Sequence, residues 1–320
     1  MIYTIENEYL RVKVSTVGAT LVSFIDKKTN TDIVLGFDDQ ASYFKNTGPH
    51  LGATVGRNAN RIADGSFVIN GEKYQLSLNE PGICLHSGVG DLSFRGYTLK
   101  ELKEDEIVLS LFDGDMSGGF PGNLNLEVSY SLKNNQLIYS FTGLCDKDSI
   151  LNITNHSYFS LNGGVDTVFN QELKVYTDKV ALNVGPMASD EVIDVKGTAF
   201  DFTTLSKMND VLSIGHSNLS KGGLDHNYVF EDMSFKKMAE LHSDILFLTV
   251  ESDLPGMHIY TGNYLGHLDG KDNHTYEDYY GICFECQYYP NGINYDIFLK
   301  PYIYKDKEVN HKIVYTLEGK

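Results

Sequence analysis

Leu124-Asn125-Leu126-Glu127-Val128-Ser129-Tyr130 alternates apolar and polar side chains without a break. In an extended chain successive side chains point to opposite faces, so the run predicts a half-buried strand. Lys133-Asn134-Asn135-Gln136 follows as a turn, with a second strand-like run beyond it. Working outward, Leu10–Val14 and Phe67–Gly71 repeat the alternation, and Asn70-Gly71 predicts a tight hairpin. The 21 tyrosines and 17 phenylalanines favour strands, and 30 glycines supply turns. Helical spacing is confined to short stretches near Phe235–Met238 and Thr204–Val211. Many short strands with frequent turns predict an all-β protein, and the length implies a very large sandwich. No linker, repeat or composition break divides residues 1–320, which predicts a single domain. Lys312–Leu317 is strand-like and is expected to close the sheet.

With 42% hydrophobic residues, the 320-residue chain can bury a large core. Its formal charge of -17, from 43 acidic and 26 basic residues, argues against nucleic acid and anionic membrane as partners. The first ten residues lack the features of a signal peptide, and no run approaches the roughly 20 apolar residues of a membrane helix. The expected location is the cytoplasm. Cys84, Cys145, Cys283 and Cys286 fit a reducing compartment better than a disulfide framework. Cys283 and Cys286 form a CxxC, but a structural zinc site wants a second pair, and a strand would set these two on opposite faces. No metal and no cofactor is expected.

Two polar clusters stand out from this scaffold. Thr154-Asn155-His156-Ser157-Tyr158-Phe159 offers an imidazole, and Phe284-Glu285-Cys286-Gln287 a carboxylate inside an apolar strand. A buried charge is costly unless it has a task or a partner. A histidine facing a carboxylate is the minimum equipment for general acid–base catalysis. His156 and Ser157 are adjacent and would face opposite ways, so they do not read as a Ser–His pair. In Gly56-Arg57-Asn58-Ala59-Asn60-Arg61-Ile62, either arginine could hold sugar hydroxyls or tie loop carbonyls, and the spacing alone favours the second. His86 and Asp225, each beside glycines, could bind ligand or build turns. Tryptophan is absent, so Tyr158, Tyr260, Tyr288 and Tyr289 are left to stack on a sugar or fill the core.

Taken in order, GRNANRIADGSFVINGEKYQL, LHSG, DGDMSGGFPGNLNLEVSYSL, NITNHSYFSLNG, GTAFDF, GGLDHNYVF, LPGMHIYTGNYL and FECQYYPNGIN resemble the motifs of the aldose 1-epimerases over essentially the whole chain. The resemblance implies a β-supersandwich and the interconversion of α and β anomers of free aldohexoses such as galactose or glucose. It implies His156 as general acid and Glu285 as general base, each working near its ordinary pKa of about 6.5 or about 4.3. It places Asn60, Arg61, His86 and Asp225 at sugar contacts, sets Tyr158 beside His156, and leaves Arg57 structural. The chain departs from the pattern at Ser87, where a second glycine is frequent, and at His258, where many members carry a sugar-binding glutamine. His258 is therefore counted among the substrate contacts. Rival readings are a non-catalytic sugar-binding protein on the same fold, a glycosidase using Glu285 and Asp225, and a hexose-6-phosphate epimerase. Scarce clustered Lys and Arg argue against the last. A homodimer is compatible with the sequence, as is a single chain.

Overall fold

A computed structural model describes residues 1–320. Leu124–Lys133 is a strand whose Leu124, Leu126, Val128, Tyr130 and Leu132 are buried, as the alternation requires. It pairs with Gln136–Cys145 through the predicted turn, where Asn134 takes a φ of 54°. Asn70 and Gly71 join Ser66–Ile69 to Glu72–Gln75 with φ of 52° and 79°, the two positive values of a type I′ hairpin.

The long hairpin belongs to a nine-stranded antiparallel sheet. Its order is Thr98–Leu102, Glu106–Asp113, Leu124–Lys133, Gln136–Cys145, Glu308–Gly319, Leu246–Ser252, Lys236–His242, Glu172–Val175 and Ser206–Lys207. A six-stranded sheet runs Tyr158–Phe159, Ile282–Gln287, Gly256–Tyr260, Asp225–Val229, Lys179–Val184 and Met187–Asp194. Apolar faces of the two sheets meet in a core of 57 buried residues. Phe159 of the smaller sheet lies 4.9 Å, ring to ring, from Tyr315 of the larger one. A four-stranded sheet from the first 32 residues adds Leu10, Val12 and Val14 to the same core. The architecture is the expected all-β sandwich.

Lys312–Leu317 is a strand that closes the sheet as expected, and it does so from mid-sheet: Glu308–Gly319 joins Gln136–Cys145 to Leu246–Ser252. Two expectations need correction. Phe235–Met238 is not helical. It falls at the start of the strand Lys236–His242, where a bulge between Lys237 and Ala239 buries Met238 and Ala239 in succession and breaks the period of two. The second helical stretch is partly strand, since Ser206–Lys207 pairs and only Met208–Leu212 coils. One helix was not anticipated, Gln40–Lys45, whose N-cap Asp39 accepts from the Ser42 amide at 3.0 Å. No helix is long and apolar enough to cross a membrane.

Candidate active site

Ile282–Gln287 is buried at every position. Ile282, Phe284 and Cys286 join the main core, so Cys283, Glu285 and Gln287 must face the other way. Strand register then builds a grid on that second face. Glu285 lies opposite His258, which lies opposite Asn227; Cys283 lies opposite Tyr260, which lies opposite Asp225, with Tyr158 on its other side. The predicted opposition of Cys283 and Cys286 is thus met. All four cysteines are unpaired and buried, and no three His, Cys, Asp or Glu side chains are arranged to hold a metal ion.

His156 enters this grid from a short segment locked on both sides. The Thr154 hydroxyl donates to the Cys286 carbonyl at 2.8 Å, and the Asn155 amide donates to the Gly52 carbonyl and the Tyr130 hydroxyl, each at 3.0 Å. These bonds turn the imidazole toward Glu285, with Nε2 3.6 Å from Oε1. The other ring nitrogen, Nδ1, lies 3.6 Å from the Cys283 sulfur. Glu285 is 1% exposed and its Oε2 has no protein partner. A buried carboxylate left without donors is unusual for a structural residue.

A cavity of about 360 Å³ opens over the pair, and all eight sequence-predicted residues line it: Asn60, Arg61, His86, His156, Tyr158, Asp225, His258 and Glu285. Its size sits at the small end of ligand pockets, roughly 300–1,000 Å³. The Asn60 backbone N–H donates to His86 Nδ1 at 3.1 Å, which leaves the neutral ring's proton on Nε2. Arg61 is clamped by Glu80 at 2.8 and 3.2 Å, so its fork is already fixed in place. Tyr158 donates its hydroxyl to the Pro49 carbonyl at 2.9 Å and presents its ring to the cavity. His258 Nε2 meets Asp225 Oδ1 at 2.8 Å. Arg57 is elsewhere, wholly buried and bound to Asp113, in keeping with its structural reading.

Burial reshapes the electrostatics. It pushes His156 down to about 3, helped by neighbouring His50. It pushes Glu285 up to about 7, against the pull of His258 and Arg61 and together with the charge of Asp225. At Asp225 burial acts upward too, but the hydrogen bond and charge of His258 outweigh it and hold that carboxyl low. The expectation of two groups near their ordinary values therefore fails, because residue type does not reveal depth. The sequence also gave no sign of His50, whose ring lies 4.8 Å from His86 and 5.9 Å from His156. Nor did it mark Glu80 as the partner of Arg61. Tyr260, noted only as an aromatic, lines the cavity with Tyr264.

The family model described as aldose 1-epimerase matches residues 1–316. Galactose mutarotase of Sus scrofa is 31% identical over 318 residues, covering 97% of this chain and 91% of that protein. Aldose 1-epimerase of Haemophilus influenzae is 32% identical over 306 residues, covering 91% of this chain and 87% of the other. Among solved structures, an aldose epimerase homologue from C. elegans superposes with a TM-score of 0.92 at 25% identity, covering 100% of this chain and 99% of its own. Galactose 1-epimerase from Lactobacillus acidophilus NCFM gives 0.86 at 27% identity, covering 99% and 93%. With its sandwich fold, its sugar-sized polar cavity and these full-length likenesses, the chain belongs to the aldose 1-epimerase family, isomerases that interconvert the anomers of aldoses.

Proposed function

We propose that Glu285 and His156 carry the proton transfers of anomer interconversion on a free aldohexose, galactose or glucose. The observation that carries this reading is the 3.6 Å opposition of His156 Nε2 and Glu285 Oε1 at the wall of one cavity. The Glu285 carboxylate takes the proton from the C1 hydroxyl. The C1–O5 bond breaks, its electron pair goes to O5, and O5 takes a proton from His156 Nε2. Rotation about C1–C2 and the reverse transfers close the ring on the other face of the aldehyde. Asn60, Arg61, His86, Asp225 and His258 supply hydroxyl contacts, and Tyr158 supplies a wall.

Ring opening converts carboxylate and imidazolium into carboxylic acid and neutral imidazole. Burial favours that second arrangement, with Glu285 near 7 and His156 near 3. The reactive carboxylate and imidazolium are therefore the minor arrangement of the pair's one proton in the empty site. Between those two values the pair holds one proton; above about 7 it holds none and has no acid to give. kcat/KM is therefore expected to fall as pH rises through about 7. An activity that keeps climbing from pH 7 to 9 would separate Glu285 from the shared proton.

Polarimetry on freshly dissolved α-galactose and α-glucose tests the reaction. Saturable binding without a faster approach to rotational equilibrium would leave only a sugar-binding protein. A 6-phosphate is poorly served, since Arg61 is the one Lys or Arg side chain on the cavity wall and Glu80 already holds it. Chelators are expected to leave turnover unchanged, and activity lost to EDTA and restored by zinc would overturn the metal-free mechanism. His258→Gln, which loosens the grip on Asp225, is expected to change KM or the ranking among sugars more than kcat. Loss of kcat at constant KM would instead make His258 the better acid.

Core residues from Ile5 to Leu317 share one cluster, which supports treating residues 1–320 as one catalytic unit. Four buried free thiols support a reducing, cytoplasmic setting.

A further inference from the structure

We propose that the Cys283 thiol is the positioning partner of His156, donating its S–H to Nδ1 of the neutral ring and accepting from Nδ1–H when that nitrogen is protonated. The proposal rests on the reading of His156 as the acid that serves O5. Sγ stands 3.6 Å from Nδ1, within reach of a sulfur hydrogen bond, and Cys283 is fully buried. Beyond the residue's own backbone, no other group bonds that nitrogen. The neighbouring Tyr158 hydroxyl is committed to Pro49, and the backbone of His156 is committed to Ala53 and Gly52. Glu285 faces Nε2 instead. His50, His86, Tyr158 and Tyr260 surround the ring, and His258 and Asp225 act on it through space.

The choice of partner has chemical consequences. A carboxylate or carbonyl on Nδ1 could only accept; it would pin the proton there and stabilise the imidazolium. A thiol is a weak donor and a weak acceptor, and its hydrogen rotates about Cβ–Sγ. Burial keeps it an S–H, pushing the thiol well above its ordinary range. In the free protein the neutral ring is thereby the Nε2–H tautomer, its donor turned to the cavity and to Glu285. When the imidazolium gives its Nε2 proton to O5, the remaining proton sits on Nδ1 and the sulfur accepts it. Nε2 is then bare and ready to take the proton back on ring closure. No bond to sulfur forms or breaks, and the thiol keeps its hydrogen throughout.

The test is nitrogen-15 NMR of histidine-labelled full-length protein, with His156 assigned through His156→Asn, alongside kinetics of Cys283→Ala and Cys283→Ser. Wild type is expected to show the Nε2–H tautomer and Cys283→Ala a mixture of the two. kcat of the alanine variant should fall by about tenfold, the low end of what losing a histidine's partner costs in metal sites, with KM little changed. Serine, a donor and a stronger acceptor, should restore the tautomer, recover part of the lost kcat and raise the imidazole pKa. A wild-type Nδ1–H tautomer, an unchanged tautomer in Cys283→Ala, or an unmoved His156 pKa in Cys283→Ser each overturns the proposal. Failure of the underlying reading looks different: His156→Asn would keep its activity, whatever the NMR reports.

Discussion

Glu285→Gln is expected to lower kcat for mutarotation by about 10²–10⁴-fold while the protein stays folded, with His156→Asn comparable. The amide keeps the shape of the side chain and removes its capacity to take the C1 hydroxyl proton. Folding should not suffer, since no protein donor bonds Glu285 Oε2 and the change leaves none unpaired. Stability should in fact improve at alkaline pH. Burial holds Glu285 up to about 7 in the folded protein, against an ordinary 4.5. A carboxyl raised in this way favours the folded state at low pH, and that advantage drains away as pH climbs from 4.5 through about 7. Above that window the native protein carries a buried charge, and glutamine does not. The melting temperature of Glu285→Gln should therefore exceed that of the wild type above pH 7, with the gain shrinking as pH falls toward 4.5. Equal melting temperatures at pH 8 and 5 would mean the carboxylate is better solvated than its 1% exposure implies.

Arg57→Ala is expected to destabilise the protein by about 3–5 kcal/mol, read from chemical denaturation. The guanidinium is 1% exposed. It meets Asp113 Oδ2 at 2.6 Å and donates to the carbonyls of Asp113, Pro121 and Gly114 at 2.9 to 3.1 Å. Alanine would leave a buried carboxylate and three carbonyls without their donor. Arg95 still reaches Asp113 Oδ1 at 3.0 Å, but its side chain is 41% exposed and cannot fill the vacated space. Methionine, which fills the volume without the charge, should lose nearly as much, and pairing it with Asp113→Leu should recover part of the loss. A loss under 1 kcal/mol for alanine would mean that water enters and solvates Asp113.

These two arginine and carboxylate pairs mark where sequence reading reaches its limit. Arg57 and Arg61 stand four positions apart in one glycine-led loop, chemically identical on paper. What separates them is Asp113 in one case and Glu80 in the other, and neither partner is adjacent in the chain. Local alternation was readable because its period of two needs no partner, and it failed where the bulge at Met238 and Ala239 interrupts it. Gln40–Lys45 was hidden because six residues are too few to show a helical stripe. At the site, motif order brought eight residues to one cavity. Depth was not legible, and depth is what moves the proton from His156 to Glu285.

Glu308–Gly319 joins two halves of the large sheet that are distant in sequence. Whenever it is out of place, Gln136–Cys145 and Leu246–Ser252 face each other as unpaired edges across a strand-wide gap. Unpaired edges of that length invite pairing with other chains. Aggregation during folding should therefore be most sensitive to substitutions that delay the docking of this one strand.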